Sequence, residues 1–344
     1  MPRIPMRRQE PCEAAASEMG RRRTRLALTL LALCATVASA QTPSWTPLPD
    51  LGHARQEVAA AWLGGALYVV GGFGDDGSTL ASAERWREGA EAWEGLPDMP
   101  IGVNQPAAAA IDGRLVVVGG FAGPGLRNPV DATQMFDPET QAWSLAAPMP
   151  SARGGLAAAV VADRLVAVGG ARAGVAVAEV TAYDPASDTW TEWPAMPSAR
   201  DHLGVAAVDG RLHAIGGRAG GAFTLTVHEV FDPDAGTWEP APPLPTGRSG
   251  HAVAALDGCV YALGGEGNRA RGDGMFDEVE RYVVAAGVWE TLEPMPLPRH
   301  GMGAVPVGDR LLVPAGATVA GFGAVAAADA FSPPPCRDGG GESG

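Results

Sequence analysis

With 344 residues, 46% of them hydrophobic, the chain has material for a sizeable core, and its 47 glycines and 30 prolines indicate many short strands joined by many turns. The formal charge is −14 with no lysine anywhere; the first forty residues hold seven Arg and three Glu, so the remainder carries 18 Arg against 36 acidic residues, a net −18. So acidic a surface excludes nucleic acid as partner, because phosphates must be met by basic groups, and having only Cys259 and Cys336 beyond residue 40 excludes a disulfide framework and a four-ligand zinc site.

In chain order, residues 1–40 come first and read as a targeting segment. Arg21, Arg22, Arg23 and Arg25 precede an apolar run, Leu26 to Val37, which ends at Ala38-Ser39-Ala40. These are the parts of a secretory signal, with cleavage expected after Ala40 and a secreted or periplasmic mature protein. The run is too short to be expected as a transmembrane segment. Met19 lies just before the basic cluster, so residues 1–18 are either an extended n-region or precede the true start. A lipid anchor at Cys34 competes, but Leu33 stands where such signals use a small residue.

From Trp45 onward the chain repeats. Gly71-Gly72, Gly119-Gly120, Gly169-Gly170, Gly216-Gly217 and Gly264-Gly265 each follow an apolar stretch, and Ala315-Gly316 is a degraded sixth copy. Successive copies lie 48, 50, 47, 48 and 51 residues apart, and Trp45, Trp93, Trp143, Trp190, Trp238 and Trp289 keep the same intervals. Two residue types locked to one period exclude independent phosphate loops, and no pair is followed by the Lys-Ser/Thr such a loop needs. A fixed period means one stacked or closed array.

The third repeat shows the unit. Leu156 to Val161 and Leu165 to Val168 are short apolar strands around the turn Ala162-Asp163, the second ending on the glycines. Other copies turn through Asp-Gly at Asp112, Asp209 and Asp257, a strong hairpin signal. After a variable loop come a third strand, Val177 to Tyr183, a turn from Asp184 to Thr189, and a fourth strand from Trp190. Four such strands make a sheet too small to be stable alone, and stacking in a ring buries both faces of each.

The glycine pair, an aromatic about 14 residues later (Trp86, Phe136, Tyr183, Phe231, Tyr282, Phe331) and the Trp seven or so residues beyond resemble the kelch repeat, from Trp45 to Phe331. The resemblance implies an all-β fold, a six-bladed kelch β-propeller. The last copy stops after its third strand, at Phe331, so the N-terminal strand around Trp45 is expected to join the last blade and close the ring. Residues 41–332 then form the propeller and 333–344 a disordered tail. Cys259 and Cys336 come out on the same side of adjacent blades, where one late disulfide and two idle thiols are both open.

Antiparallel alternation puts the short Asp-Gly and Asp-Pro turns on one side and the variable second loops on the other, where function is expected. That side carries a ring ten residues after each Trp: Arg55, Val103, Arg153, Arg200, Arg248 and Arg299, with Asn104 beside the exception and His53, His202, His251 and His300 nearby. An Arg-rich mouth suits a carboxylated ligand, because guanidinium binds carboxylate through two parallel hydrogen bonds. A residue repeated in five of six blades is equally a structural tie, and both readings stay open. The candidate ligand-binding residues are Arg55, Asn104, Arg153, Arg200, His202, Arg248, His251, Arg299 and His300.

Kelch propellers include enzymes and binding modules, so the resemblance leaves function open. The four tyrosines, Tyr68, Tyr183, Tyr261 and Tyr282, sit in repeat-core slots, which argues against the copper chemistry of galactose oxidase; no cofactor and no metal are expected. The lack of a compact catalytic constellation favours a monomeric recognition propeller that binds a glycan or protein through the variable-loop face. The alternative follows from similarity in length, signal and blade number to the kelch family of N-acetylneuraminate epimerases. It is a cofactor-independent sugar mutarotase, with His251 or Glu266 as acid or base and Arg200, Arg248 and Arg299 holding a carboxylate.

Overall fold

The computed structural model describes residues 43–336; the segment expected to be a secretory signal, the cleavage expected after Ala40 and residues 337–344 lie outside the described residues. Every regular element within that span is a strand, and no helix there is long and apolar enough to cross a membrane.

Each repeat folds into four antiparallel strands. In the third these are Ala157–Val161, Arg164–Val168, Val180–Asp184 and Thr189–Trp193, paired in that order. Both residues of the first turn take positive φ, 51° and 71° at Asp112-Gly113 and 49° and 76° at Asp257-Gly258, as two-residue hairpins require. The third strand starts later than Val177, because the preceding residues bond to the glycine pair: Val177 N–H donates to Gly170 O and Gly169 N–H to Glu179 O, both at 2.8 Å.

Six such sheets form a ring. Their innermost strands, Ala59–Leu63, Ala107–Ile111, Ala157–Val161, Gly204–Val208, Ala252–Leu256 and Val305–Val307, touch one another in sequence, and the last touches the first. The sixth sheet is completed by Ser44–Pro47, which pairs with Ala328–Ser332 so that Trp45 lies opposite Phe331. The core is a set of seams between neighbouring sheets rather than one central cluster; Leu115, Val117 and Phe136, for example, pack against Tyr68 and Val70 of the preceding blade.

The period-locked Trp residues stitch these seams at their outer edge. Each packs at a tilt against the aromatic of its own third strand and donates its indole N–H to a carbonyl four residues beyond the previous Trp: Trp93 to Pro49, Trp143 to Pro97, Trp238 to Pro194 and Trp289 to Pro242, all at 2.8 Å, and Trp190 to Ala147 at 2.9 Å. Trp45 stacks on Phe331 at 4.7 Å but leaves Nε1 without a partner, so the closing blade is an imperfect copy.

The glycine pairs do the same near the axis. The second glycine donates its N–H to the residue leading into the next blade: Gly72 to Val103, Gly120 to Arg153, Gly170 to Arg200, Gly217 to Arg248, Gly265 to Arg299 and Gly316 to Arg55, at 2.8 to 3.0 Å. At Gly71 φ is +63° and an added Cβ would stand 2.4 Å from Val103 O, so any side chain there forces neighbouring backbones apart.

The fold does not end at Ser332. Pro333 is buried, Arg281 donates to Pro334 O at 2.7 Å, and Cys336 is disulfide-bonded to Cys259 with 6.1 Å between Cα atoms. The tail expected to be disordered from residue 333 is held to the fifth blade as far as Cys336.

Candidate functional site

On the variable-loop side, the segment leading into each inner strand lays four residues in depth. The first is the arginine position. Arg55, Arg153, Arg200, Arg248 and Arg299 are fully buried. Each guanidinium turns back into its own blade, bonding to strand carbonyls and to a side chain of the third strand: Arg55 to Glu84 at 2.7 Å, Arg200 to Glu229 at 2.9 Å, Arg248 to Glu280, Arg299 to Asp329 at 2.7 Å, and Arg153 to Thr181 at 2.7 Å and Glu179 at 3.3 Å. Burial pulls their pKa values down, Arg153 to about 10, while the carboxylates oppose it.

The second blade confirms the role. Val103 replaces Arg there, and the acid two residues before the aromatic is replaced by Gln134, which bonds instead to Ile101 N and O. The arginine ring is therefore a tie between strands, not a carboxylate clamp, and Arg200, Arg248 and Arg299 have no free face for a substrate.

At the second level sit Gln56, Asn104, Gly154, Asp201, Ser249 and His300, and at the third Glu57, Gln105, Gly155, His202, Gly250 and Gly301. The third level forms a closed circle of backbone hydrogen bonds: Gln105 N–H to Glu57 O, then 155 to 105, 202 to 155, 250 to 202, 301 to 250, and finally Val58 N–H to Gly301 O, at 2.8 to 3.2 Å. The circle demands left-handed backbone, with φ of 65°, 62° and 61° at Gly155, Gly250 and Gly301. Yet Glu57, Gln105 and His202 adopt 55°, 53° and 51°. A non-glycine residue in this region costs roughly 1–2 kcal/mol, and such strain concentrates at functional sites. The glycines make room for these side chains: a Cβ at Gly301 would lie 2.9 Å from the Glu57 carboxyl, and one at Gly155 would lie 3.1 Å from His202 Nδ1 and 3.3 Å from Gln105 Oε1.

Around this circle runs a polar network. His300 Nδ1 lies 3.1 Å from Glu57 Oε1 and 3.9 Å from Glu266 Oε2, while its Nε2–H donates to Val319 O. Burial lowers the His300 pKa, but the bond and charge of Glu57 with the charge of Glu266 outweigh it and raise it overall. Burial likewise opposes ionisation of Glu57, and the hydrogen bond from His300 with the surrounding cationic groups holds its carboxyl at about 2. Arg218, from the fourth blade's variable loop, reaches Asp201 at 2.8 Å, Glu266 at 3.1 Å and His202 Nε2 at 3.0 Å. Arginine only donates, so His202 Nε2 accepts and its proton sits on Nδ1, facing Asp201.

Sequence reasoning placed His202, His300 and Glu266 here, but missed Glu57, Gln105 and Asp201. Asn104 is buried and bonds through Nδ2 to Phe121 O and Thr79. His53 is exposed, away from the circle, near Glu84.

The third blade has the shortest variable loop, and its small hairpin, Ala171–Arg172 with Val175–Ala176, leaves a cleft of about 560 Å³ beside the axis. Phe121 and Leu126 form one wall, Phe223 with Arg218 over its ring the other, and Gln105, Asp201 and His202 line its polar side. Gln105 and His202 also line an axial well of about 110 Å³.

Below the well the fourth level, Val58, Pro106, Leu156, Leu203, His251 and Met302, separates it from an alanine-walled lumen that lies along the inner strands. His251 takes the slot that Leu156, Leu203 and Met302 fill elsewhere, against the first glycine of the preceding blade. Neither ring nitrogen makes a hydrogen bond of good geometry. Burial, then the charges of Arg248 and Arg200, push its pKa down to about 3. The unfolded chain therefore binds the proton first, and stability present above pH 6.5 is lost as pH falls toward 3. His251→Leu is expected to raise stability by about 1–3 kcal/mol at neutral pH, with the gain widening below pH 6.5. Urea unfolding at several pH values measures this, and a loss at neutral pH contradicts it.

The Kelch motif matches residues 54–100, 104–150, 152–197, 199–245 and 247–296, more than half of the chain. Comparison with curated proteins finds no match. Many solved chains share the fold; the structure of YjhT aligns with a TM-score of 0.70 at 17% identity, covering 82% of this chain and 95% of that one, a likeness that shows fold alone. With five matched repeats and six four-stranded blades closed into a ring, the chain belongs to the kelch-motif β-propeller family.

Proposed function

We propose that the protein is a secreted or periplasmic recognition propeller that binds a glycan in the cleft and axial well of its variable-loop face. The observation that carries this reading is the placing of Glu57, Gln105 and His202 at left-handed positions where the other three blades use glycine. Those three side chains cost the fold energy and converge on one concave site, which selection for stability alone does not favour. The cleft has the usual makeup of a small-ligand site, apolar walls with a few polar groups. The disulfide suits the oxidising compartment that the N-terminal signal implies.

A glycan array probed with the purified chain and with His202→Gly tests the reading. We expect specific wild-type binding that the variant loses without loss of melting temperature. Silence of the wild type, or binding that survives His202→Gly, counts against it.

A further inference from the structure

The mouth reverses the charge expected from the sequence. With the arginine ring buried in the blades, the ionised groups around the third-level circle are Glu57, Glu266 and Asp201 against Arg218 and His300. His202 Nε2 lies 3.0 Å from Arg218, which only donates, so that ring nitrogen accepts. Three carboxylates face a single permanent cation, Arg218, and buried charge without a counter-charge is costly. One further group lining the well is unpartnered among the described residues: Gln105 Oε1, on a residue 7% exposed. An amide oxygen and a carboxylate are both acceptors.

We propose that the axial well takes a primary ammonium group borne by an amino sugar, whose ring lies in the adjoining cleft. An ammonium has three donors and no acceptor; Glu57 and Gln105 supply two acceptors and the missing counter-charge. The well's volume of about 110 Å³ suits such a group, and Gln105 and His202 line both spaces, so well and cleft adjoin. The Phe223 wall gives the apolar face of a sugar ring a surface to lie on. A carboxylated sugar meets the opposite field, with Glu57 and Glu266 facing it.

This inference rests on the reading of the mouth as a recognition site, and its test separates the two. Glucosamine, N-acetylglucosamine and glucose are titrated into the purified chain by calorimetry. Glucosamine is expected to bind at least about tenfold more tightly than either neutral sugar, the difference one charge-assisted hydrogen bond makes. Glu57→Gln is expected to erase that preference; glutamine is tolerated there, since Gln105 holds the same backbone conformation. Equal binding of the three sugars, preference for a neutral one, no binding of glucosamine, or a preference that survives in Glu57→Gln overturns the assignment. If Glu57→Gln fails to fold, the three-sugar comparison on the wild type decides alone. Array binding of a glycan without an amine likewise overturns the ammonium site while leaving the recognition reading intact.

Discussion

Arg248→Val is expected to destabilise the protein by about 3–5 kcal/mol, the cost of breaking a buried ion pair and leaving one charge behind. The stranded group is Glu280, 2% exposed, which otherwise holds Arg248 and accepts from Thr246 at 2.8 Å. The protein contains its own control in the second blade, where Val103 is matched by Gln134 and no charge is buried. Arg248→Val with Glu280→Gln copies that solution and is expected to recover at least about half of the loss. Urea unfolding of the wild type, the single and the double variant measures both. A double variant less stable than the single one contradicts the tie.

Cys336→Ser is expected to cost up to about 4.5 kcal/mol by the chain-entropy account of cross-linking. The bridge spans 77 residues and closes a loop containing most of the fifth blade and the described part of the sixth. Cys259 is fully buried at the start of its strand and stays as a small apolar side chain. The lost constraint falls where the chain's two ends meet, since Ala328–Ser332 also carries the closing strand Ser44–Pro47. Differential unfolding of the oxidised wild type and Cys336→Ser reads the effect. Equal stability means the bridge adds no constraint beyond the sheet pairing.

The architecture was legible because its causes repeat. Glycine pairs, aromatics and Trp residues keep one period since each serves one contact, and the structure supplies those contacts at nearly every copy. The arginine ring was legible in position but not in role, since period alone does not report burial. The deciding signal was nevertheless present: the acids Glu84, Glu229, Glu280 and Asp329 recur two residues before the aromatic in four of the five arginine blades, the third having Thr181 there with Glu179 two residues earlier, and the blade that lacks arginine has Gln134.

Glu57, Gln105 and His202 were visible in the same way, as departures from Gly155, Gly250 and Gly301 at one repeat position. Three glycines at one slot imply positive φ, and non-glycine residues there are the exceptions to ask about. The reach of Arg218 across to Asp201 and Glu266 was not legible, because variable loops have no period to fix their direction.

The central claim is that the mouth side chains are held against the preference of the fold in order to meet a ligand. Gln105→Gly tests it most directly, because Gln105 Oε1 has no hydrogen-bond partner among the described residues and glycine occupies the equivalent position in three other blades. Unfolding and glycan binding are measured on the same preparation. We predict stability unchanged or raised by about 1 kcal/mol, from relief of the left-handed backbone, together with loss of binding. A variant that is less stable and binds as well as the wild type would show that Gln105 serves the fold, and would contradict the account.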